Sequence, residues 1–342
     1  MPNIAMLSCW NHYHAKSFVR DLALHPEAKI IAIWDDDLER GKTFAKEFGV
    51  RFEPDLTALL AMSSLDGVII NSSPEQASSL IEMAAKAYKH VLVDQVLALT
   101  LHEANRVAGW IRHSNIHFTI DMSLRHWPVN LAAKKVAITG AIGDITSIRI
   151  RNAHDGATGE VPLASRYLDT PYGVFTDLGA HCLYLMRWIL GKPVAVTAIT
   201  TRYTGHNAED NAACLFEFAN CAIAICDTSY SASQSPYSIE LYGTSGSFLG
   251  GGATGVHRKL LQPSDSFVRY FTPDKEDSND VQKAPTLSEA GESTLSLWLK
   301  AIQGQSELPT GVDDGIALAE TLEALYLSAH TGRKVYLQDL NH

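Results

Sequence analysis

Three side chains in one stretch of this 342-residue chain have the types and spacing of proton chemistry: Asp177, His181 and Tyr184. They stand at i, i+4 and i+7, which brings them to one face of a helix. Their neighbours Leu178, Leu185, Met186 and Ile189 are apolar. A polar stripe in that setting must find partners or serve a site. A neutral imidazole titrating near pH 7 is suited to taking the proton of a carbinol oxygen as hydride leaves. Asp177, one turn earlier, is expected to orient that imidazole and stabilise its cation. The alternative is a buried histidine that only ties helix to sheet.

A second candidate lies near the N-terminus. The apolar run Ile4–Leu7 leads into Ser8-Cys9-Trp10-Asn11-His12-Tyr13-His14, at the turn where a dinucleotide fold rests a pyrophosphate on backbone amides. The turn holds no glycine, and Trp10 and Tyr13 are bulky, so a tight glycine cradle is not expected. Helix amides, with Ser8 and Asn11 donating from their side chains and His12 beside them, are the expected phosphate contacts. The second apolar run closes on Asp35-Asp36-Asp37, with Asp35 21 residues after His14. That matches the spacing of about 20 expected for a carboxylate on a ribose hydroxyl, and such a carboxylate favours NAD over NADP. Alternatively, Asp35–Asp37 cap the next helix. His12 and His14 form an H-x-H pair with no third ligand at recognisable spacing, so no metal is expected. His14 is expected to open the first helix and face the cofactor or substrate cleft.

The elements that must position these groups fall into two rhythms. Up to Met122, short apolar runs (Ile4–Leu7, Ile30–Trp34, Gly67–Asn71, His90–Val93, Phe118–Met122) alternate with amphipathic stretches (Ala15–Leu24, Leu38–Phe48, Glu75–Tyr88, Leu101–His113). Strands this apolar are buried on both faces, and the alternation predicts a doubly wound parallel α/β sheet. After a helix at Val129–Thr139 and a strand at Ile145–Asn152, the apolar helix Val174–Leu190 follows. Strands are then predicted at Val194–Arg202, Ala212–Phe218, Ala222–Thr228, Ser238–Tyr242, Val256–Leu261 and Phe267–Phe271. Consecutive strands imply an antiparallel sheet in a separate α+β domain. The glycines at 243–252 read as turn chemistry, Lys275–Lys283 as a surface loop, and Glu289–Ile302 and Val312–Ala329 as two closing helices. The expected domains are 1–122 and 123–342.

With 46% hydrophobic and 19% charged residues the chain can bury a sizeable core. A net charge of −10 leaves no basic face for a nucleic acid. No run approaches the ~20 apolar residues of a membrane span, and Met1–Leu7 lacks the features of a signal peptide. Five cysteines without a C-x-x-C pair suit a reducing compartment, so a cytoplasmic location is expected.

The order of motifs resembles the glucose–fructose oxidoreductase / inositol dehydrogenase / rhizopine-catabolism (Gfo/Idh/MocA) family over nearly the whole chain. Asp66-Gly67-Val68-Ile69-Ile70-Asn71-Ser72-Ser73-Pro74 resembles that family's strand and Thr-Pro turn, and Ala87-Tyr88-Lys89-His90-Val91 its Ala-Gly-Lys-His-Val strand. Arg125-His126-Trp127-Pro128 resembles its Arg-x-x-Pro entry to the second domain. Asp177-Leu178-Gly179-Ala180-His181 with Trp188 and Gly191 resembles its D-x-G-x-H…W-x-x-G helix, and Thr331-Gly332-Arg333-Lys334-Val335 its usual ending. The resemblance implies a Rossmann domain joined to an open-faced antiparallel sheet domain, a bound NAD(P), and a sugar or polyol-like substrate at the domain junction. It also implies a homodimer or homotetramer formed through the open sheet.

By the same resemblance, His181 relays the hydroxyl proton, and Asp177 orients the substrate or the histidine. Ser72, Ser73, Pro74, Asp94 and Arg125 fall near the cofactor. His14, Tyr184 and Arg166 are the expected substrate contacts. The family's Glu-Lys-Pro reads Asp94-Gln95-Val96 here, so its assisting ammonium becomes the neutral amide of Gln95. Lost positive charge at such a place is worth ~3 kcal/mol of barrier unless Arg125, Arg166 or Lys89 supplies it. Ser78 and Tyr184 also replace residues common in the family. The expected activity is NAD-dependent hydride transfer on a sugar, polyol or related hydroxy/keto compound. The alternatives are a ligand-binding or regulatory protein on this fold, and an enzyme cycling tightly bound NAD during elimination or glycosidic cleavage.

Overall fold

The computed structural model describes residues 1–158, 165–233, 235, 237–252, 266–271 and 287–341. The first 122 residues form β1 (Asn3–Leu7), α1 (His12–Ala23), β2 (Lys29–Trp34), α2 (Leu38–Phe48), β3 (Arg51–Phe52), α3 (Leu56–Leu60), β4 (Gly67–Ile70), α4 (Pro74–Lys86), β5 (His90–Asp94), α5 (Leu101–Ser114) and β6 (Phe118–Asp121). Then come α6 (Pro128–Thr139), β7 (Ile145–Ala153), α7 (Ser165–Leu168), α8 (Ala180–Leu190), β8 (Ala195–Thr201), β9 (Asn211–Glu217), β10 (Ile223–Ser229), β11 (Ser238–Gly243), β12 (Gly246–Gly252) and β13 (Ser266–Phe271). The chain closes with α9 (Thr294–Ile302), α10 (Val312–Thr331) and β14 (Val335–Tyr336).

Two compact units result: Met1–Met122 with Glu292–Ala319, and Ser123–Gly291 with Glu320–His342. The segment 292–319, expected in the second domain, belongs to the first unit. Its physical reason is apolar: Leu295, Trp298 and Leu299 of α9 are buried with Ile4, Met6, Ile69 and Leu92 of the parallel strands. Trp298 also donates its indole N–H to the His117 carbonyl at 3.1 Å.

In the first unit six strands pair in the order β3-β2-β1-β4-β5-β6, and all pairings are parallel. Residues 67–70 and 91–93 are buried throughout, as a sheet covered on both faces requires. The two-residue β3 and the short α3 were not legible as periodic runs.

In the second unit eight strands pair in the order β13-β12-β11-β7-β10-β9-β8-β14. All pairs are antiparallel except β7 with β10, so the sheet is mixed and mainly antiparallel. The stretch 246–252, read from its glycines as turn chemistry, is strand β12. Its Gly250 lies where a Cβ would come within 2.4 Å of Val129, so the glycine permits a close approach of α6. The expected strand Val256–Leu261 and loop Lys275–Lys283 lie outside the described residues. Burial alternates along β8–β10, with Val196, Cys214, Phe216, Ala224 and Cys226 inside. No helix among the described residues is long and apolar enough to cross a membrane.

Candidate functional site

The strand order of the first unit reverses between β1 and β4, and open α/β sheets bind ligands outside the carboxyl ends of the strands at such a point. Ser8 follows β1 there with φ +66°, a left-handed conformation normally given to glycine. Its hydroxyl is fully buried and has no hydrogen-bond partner. The next three amides are held by the chain itself. Cys9 N donates to Asp35 Oδ2 at 2.8 Å, Trp10 N to the Asn71 carbonyl at 3.1 Å, and Asn11 N to Asn71 Oδ1 at 3.0 Å. Asn11 caps α1 by accepting the His14 amide on Oδ1 at 3.2 Å, which leaves the expected donor role to its Nδ2.

Asp35 does not present its carboxylate as a ribose acceptor. Its side chain is wholly buried, with Oδ2 accepting from Cys9 N and from Arg40 Nε at 2.9 Å. Oδ1 accepts from Asp37 N at 2.9 Å and Arg40 Nη2 at 2.5 Å. Burial pushes this carboxyl above its usual value, against the pull of Arg40 and the two amides. The residue thus ties the first loop to the end of β2. The solvent-facing carboxylates are Asp36, bonded to Arg40 at 2.7 Å and Gln76 at 2.9 Å, and Asp37. Asp37 caps α2 through the Glu39 and Arg40 amides, so helix capping holds for this member of the acidic run.

Asp94, expected against the cofactor, accepts from His14 Nδ1 at 2.9 and 3.2 Å and from Asn71 Nδ2 at 2.6 Å. Across the β5–β6 pairing it stands in register with Asp121. Burial and then the charge of Asp94 push Asp121 up to about 6, with a Thr294 hydrogen bond opposing. Gln95 follows, buried, at φ +68°. Lys89 is removed from the candidate cations because its ammonium donates to the Met62 and Leu65 carbonyls, both at 2.8 Å. Ser72 Oγ donates to the Ser73 carbonyl at 3.1 Å, and Pro74 opens α4 behind Ser73. The His12 ring packs edge-on to Phe44 at 5.4 Å. No cluster of three or more metal-ligating side chains occurs among the described residues.

In the second unit Asp177 sits in a π-helical turn, Phe175–Gly179, that leads directly into α8. The wider turn changes the angular spacing assumed for a regular helix. His181 Nδ1 pairs with the Tyr184 hydroxyl at 2.8 Å. Asp177 Oδ2 accepts from the Tyr230 hydroxyl at 2.6 Å. Tyr184 Oη also accepts from the Leu124 amide at 2.9 Å. All four side chains are buried. Burial, then the charge of Asp177, holds the Tyr230 hydroxyl well above the usual phenol range. Arg125 lies over the Trp188 ring, its guanidinium carbon 4.8 Å from the centroid, and Arg166 is partly buried on α7.

Sequence reasoning missed Arg40, Asn71, Asp121 and Tyr230. Arg40 had a weak signal, five residues after Asp35, and Asn71 ended a strand already recognised. Tyr230 meets Asp177 only through the pairing that sets β10 beside β7.

A six-stranded parallel sheet in this order, with a helix opening at the switch point, defines a dinucleotide-binding domain. Ser8 provides a left-handed corner and an orphaned hydroxyl at the α1 terminus, and the β2 end carries carboxylates suited to ribose. Residues 10–121 match the oxidoreductase family with an NAD-binding Rossmann fold, and residues 130–249 match the GFO/IDH/MocA C-terminal domain. The chain belongs to the Gfo/Idh/MocA oxidoreductase family, with an NAD-binding Rossmann fold in its first unit. It is similar to a D-apiose dehydrogenase of Paraburkholderia graminis, 27% identical over 96% of this chain and 87% of the relative. A D-apiose dehydrogenase of Rhizobium rhizogenes is 28% identical, over 90% of each. The fold matches an oxidoreductase from Agrobacterium radiobacter solved with NAD+, L-tartaric acid and magnesium, with TM-score 0.75, 24% identity and 99% of each chain covered.

Proposed function

We propose that the chain oxidises a sugar or polyol hydroxyl with NAD as its cofactor, His181 taking the hydroxyl proton. The observation that carries this reading is the bond from His181 Nδ1 to the Tyr184 hydroxyl within an otherwise apolar helix. In the tautomer that donates Nδ1–H to Tyr184, Nε2 is the basic nitrogen of the ring, suited to general-base work. The nicotinamide supplies the hydride acceptor when bound. Asp177, fixed by Tyr230, acts on the substrate or on the field around the imidazole. Ser8 would hold the diphosphate, and Ser72, Ser73 and Pro74 the nicotinamide side.

NAD is favoured over NADP because Asp35, Asp36 and Asp37 share one guanidinium, that of Arg40. The net negative charge left there opposes a 2′-phosphate, and Asp36, exposed where Asp35 is buried and not spent on capping α2 as Asp37 is, is the carboxylate for the ribose. The five cysteines, all free thiols, support a cytoplasmic location. Ile199, Leu215, Ile223 and Ile225 are exposed on the β8–β10 face, which supports a homodimer or homotetramer through that face. Light scattering on an Ile225→Asp variant tests this, and an unchanged mass would count against it.

The decisive experiment has two arms. NAD should raise the melting temperature more than NADP does. Nicotinamide reduction should then be followed by the absorbance of the reduced ring with a panel of sugars and polyols in which D-apiose and myo-inositol come first. No binding of either dinucleotide, together with silence across the panel, overturns the reading.

A further inference from the structure

We propose that His14 is the cation of the active site: an imidazolium fixed at the switch point by Asp94, which keeps its proton and stabilises negative charge on a substrate oxygen. This rests on the dehydrogenase reading above and assigns its missing positive charge.

Four residues, two at the start of α1 and one each at the ends of β4 and β5, close a ring of hydrogen bonds. The His14 amide donates to Asn11 Oδ1, the Asn11 amide to Asn71 Oδ1, Asn71 Nδ2 to Asp94 Oδ2, and Asp94 takes His14 Nδ1. Such a circuit fixes both the ring plane and the tautomer. Nδ1 donates to the carboxylate, so a second proton on the ring must reside on Nε2. The His14 side chain retains 30% exposure and Asp94 only 7%, so the ring lies at the edge of the site over a sequestered anion.

The charges facing the ring favour the imidazolium. Asp94 comes from β5 and Asp121 from β6, with Asp21 of α1 beyond; Tyr13 is the aromatic neighbour at 5.9 Å between centroids. Burial first and the charge of Asp94 second raise Asp121 to about 6, and the charge of His14 acts against that rise. The positive end of α1 opposes charge on His14. A charge-assisted bond to a carboxylate at hydrogen-bond distance outweighs a terminal dipole. The other basic groups near these strand ends are engaged: Arg40 with Asp35–Asp37 and Lys89 with two carbonyls. The residue after Asp94 is the neutral Gln95.

The test is an imidazole titration by 1H–15N NMR on the full chain, with His14→Asn and His14→Gln identifying the signal among 14 histidines. His14 should titrate above the ordinary histidine value of about 6.5, and Asp94→Asn should bring it down. His14→Asn keeps a donor toward Asp94 but cannot carry charge. It should lower kcat/KM for D-apiose, or for whichever panel sugar is turned over, by about 10- to 100-fold, with NAD affinity changed less than about twofold. A His14 that is neutral at pH 7, a titration indifferent to Asp94→Asn, or a His14→Asn enzyme with full kcat/KM overturns the proposal. Failure of the wild-type chain to bind NAD sinks the dehydrogenase reading instead. Normal NAD turnover with a neutral His14 sinks this inference alone.

Discussion

Replacing Asp121 by asparagine removes an ionisation that the folded first unit resists. Asp121 titrates at about 6 instead of 3.8, mainly through burial and then through Asp94 in register on β5. That difference corresponds to about 3 kcal/mol between the protonated and ionised forms. Because the folded-state value is raised, the contribution is fully present below pH 3.8 and lost as pH rises through about 6. Partial exposure of the residue screens the effect, so about 1–2 kcal/mol is the working expectation at pH 8. Asparagine retains an oxygen for the Thr294 hydrogen bond and carries no charge. Asp121→Asn should therefore be stabilising at pH 8 by that amount and nearly neutral at pH 4. The assay is urea denaturation of both proteins at half-unit pH steps, followed by tryptophan fluorescence through Trp298. An equal effect of the substitution at pH 4 and pH 8, or destabilisation at pH 8, would refute the reasoning.

Three further outcomes are expected. Ser8→Gly should raise the melting temperature by about 2–4 °C, because relief of a left-handed residue outweighs the added chain entropy of glycine by about 1 kcal/mol. Gly41→Ala should destabilise by about 1–2 kcal/mol in chemical denaturation despite better helix propensity, since its Cβ would meet Phe52 at 2.4 Å and Asp35 at 2.6 Å. Tyr184→Phe should cost about 1–3 kcal/mol of stability by stranding the Leu124 amide. It should also lower kcat about 10- to 100-fold while leaving the KM for NAD unchanged, which steady-state kinetics would check.

The parallel sheet was legible because a strand covered on both faces is apolar at every position, as in Gly67–Ile70. Helix α2 was legible to the residue, for Asp37 and Gly49 mark its two ends. The acidic run after β2 was visible, but its division of labour was not. Asp35 turns inward because the first loop needs an acceptor for the Cys9 amide, and no local pattern reveals that demand. The His14–Asp94 pair joins residues 80 apart, through strand neighbours set by topology alone. The regular i, i+4 spacing pointed to Asp177 beside His181, but it did not reveal the π-helical turn or the two tyrosines, Tyr230 on Asp177 and Tyr184 on His181. The apolar face of α9 was visible, yet which core it would join depended on Trp298 finding room beside Gly67, where a Cβ would come within 2.9 Å of the indole.

Because the first unit recruits Glu292–Ala319 and the second recruits Glu320–His342, neither is complete when its leading segment leaves the ribosome. The parallel sheet waits for about 170 further residues, which at 5–20 residues per second is roughly 10–30 s. During that interval the surface that Trp298 will cover stays open to other hydrophobic chains. Nascent copies are most exposed to aggregation then, and deletions near the carboxyl end should harm solubility far more than their size suggests.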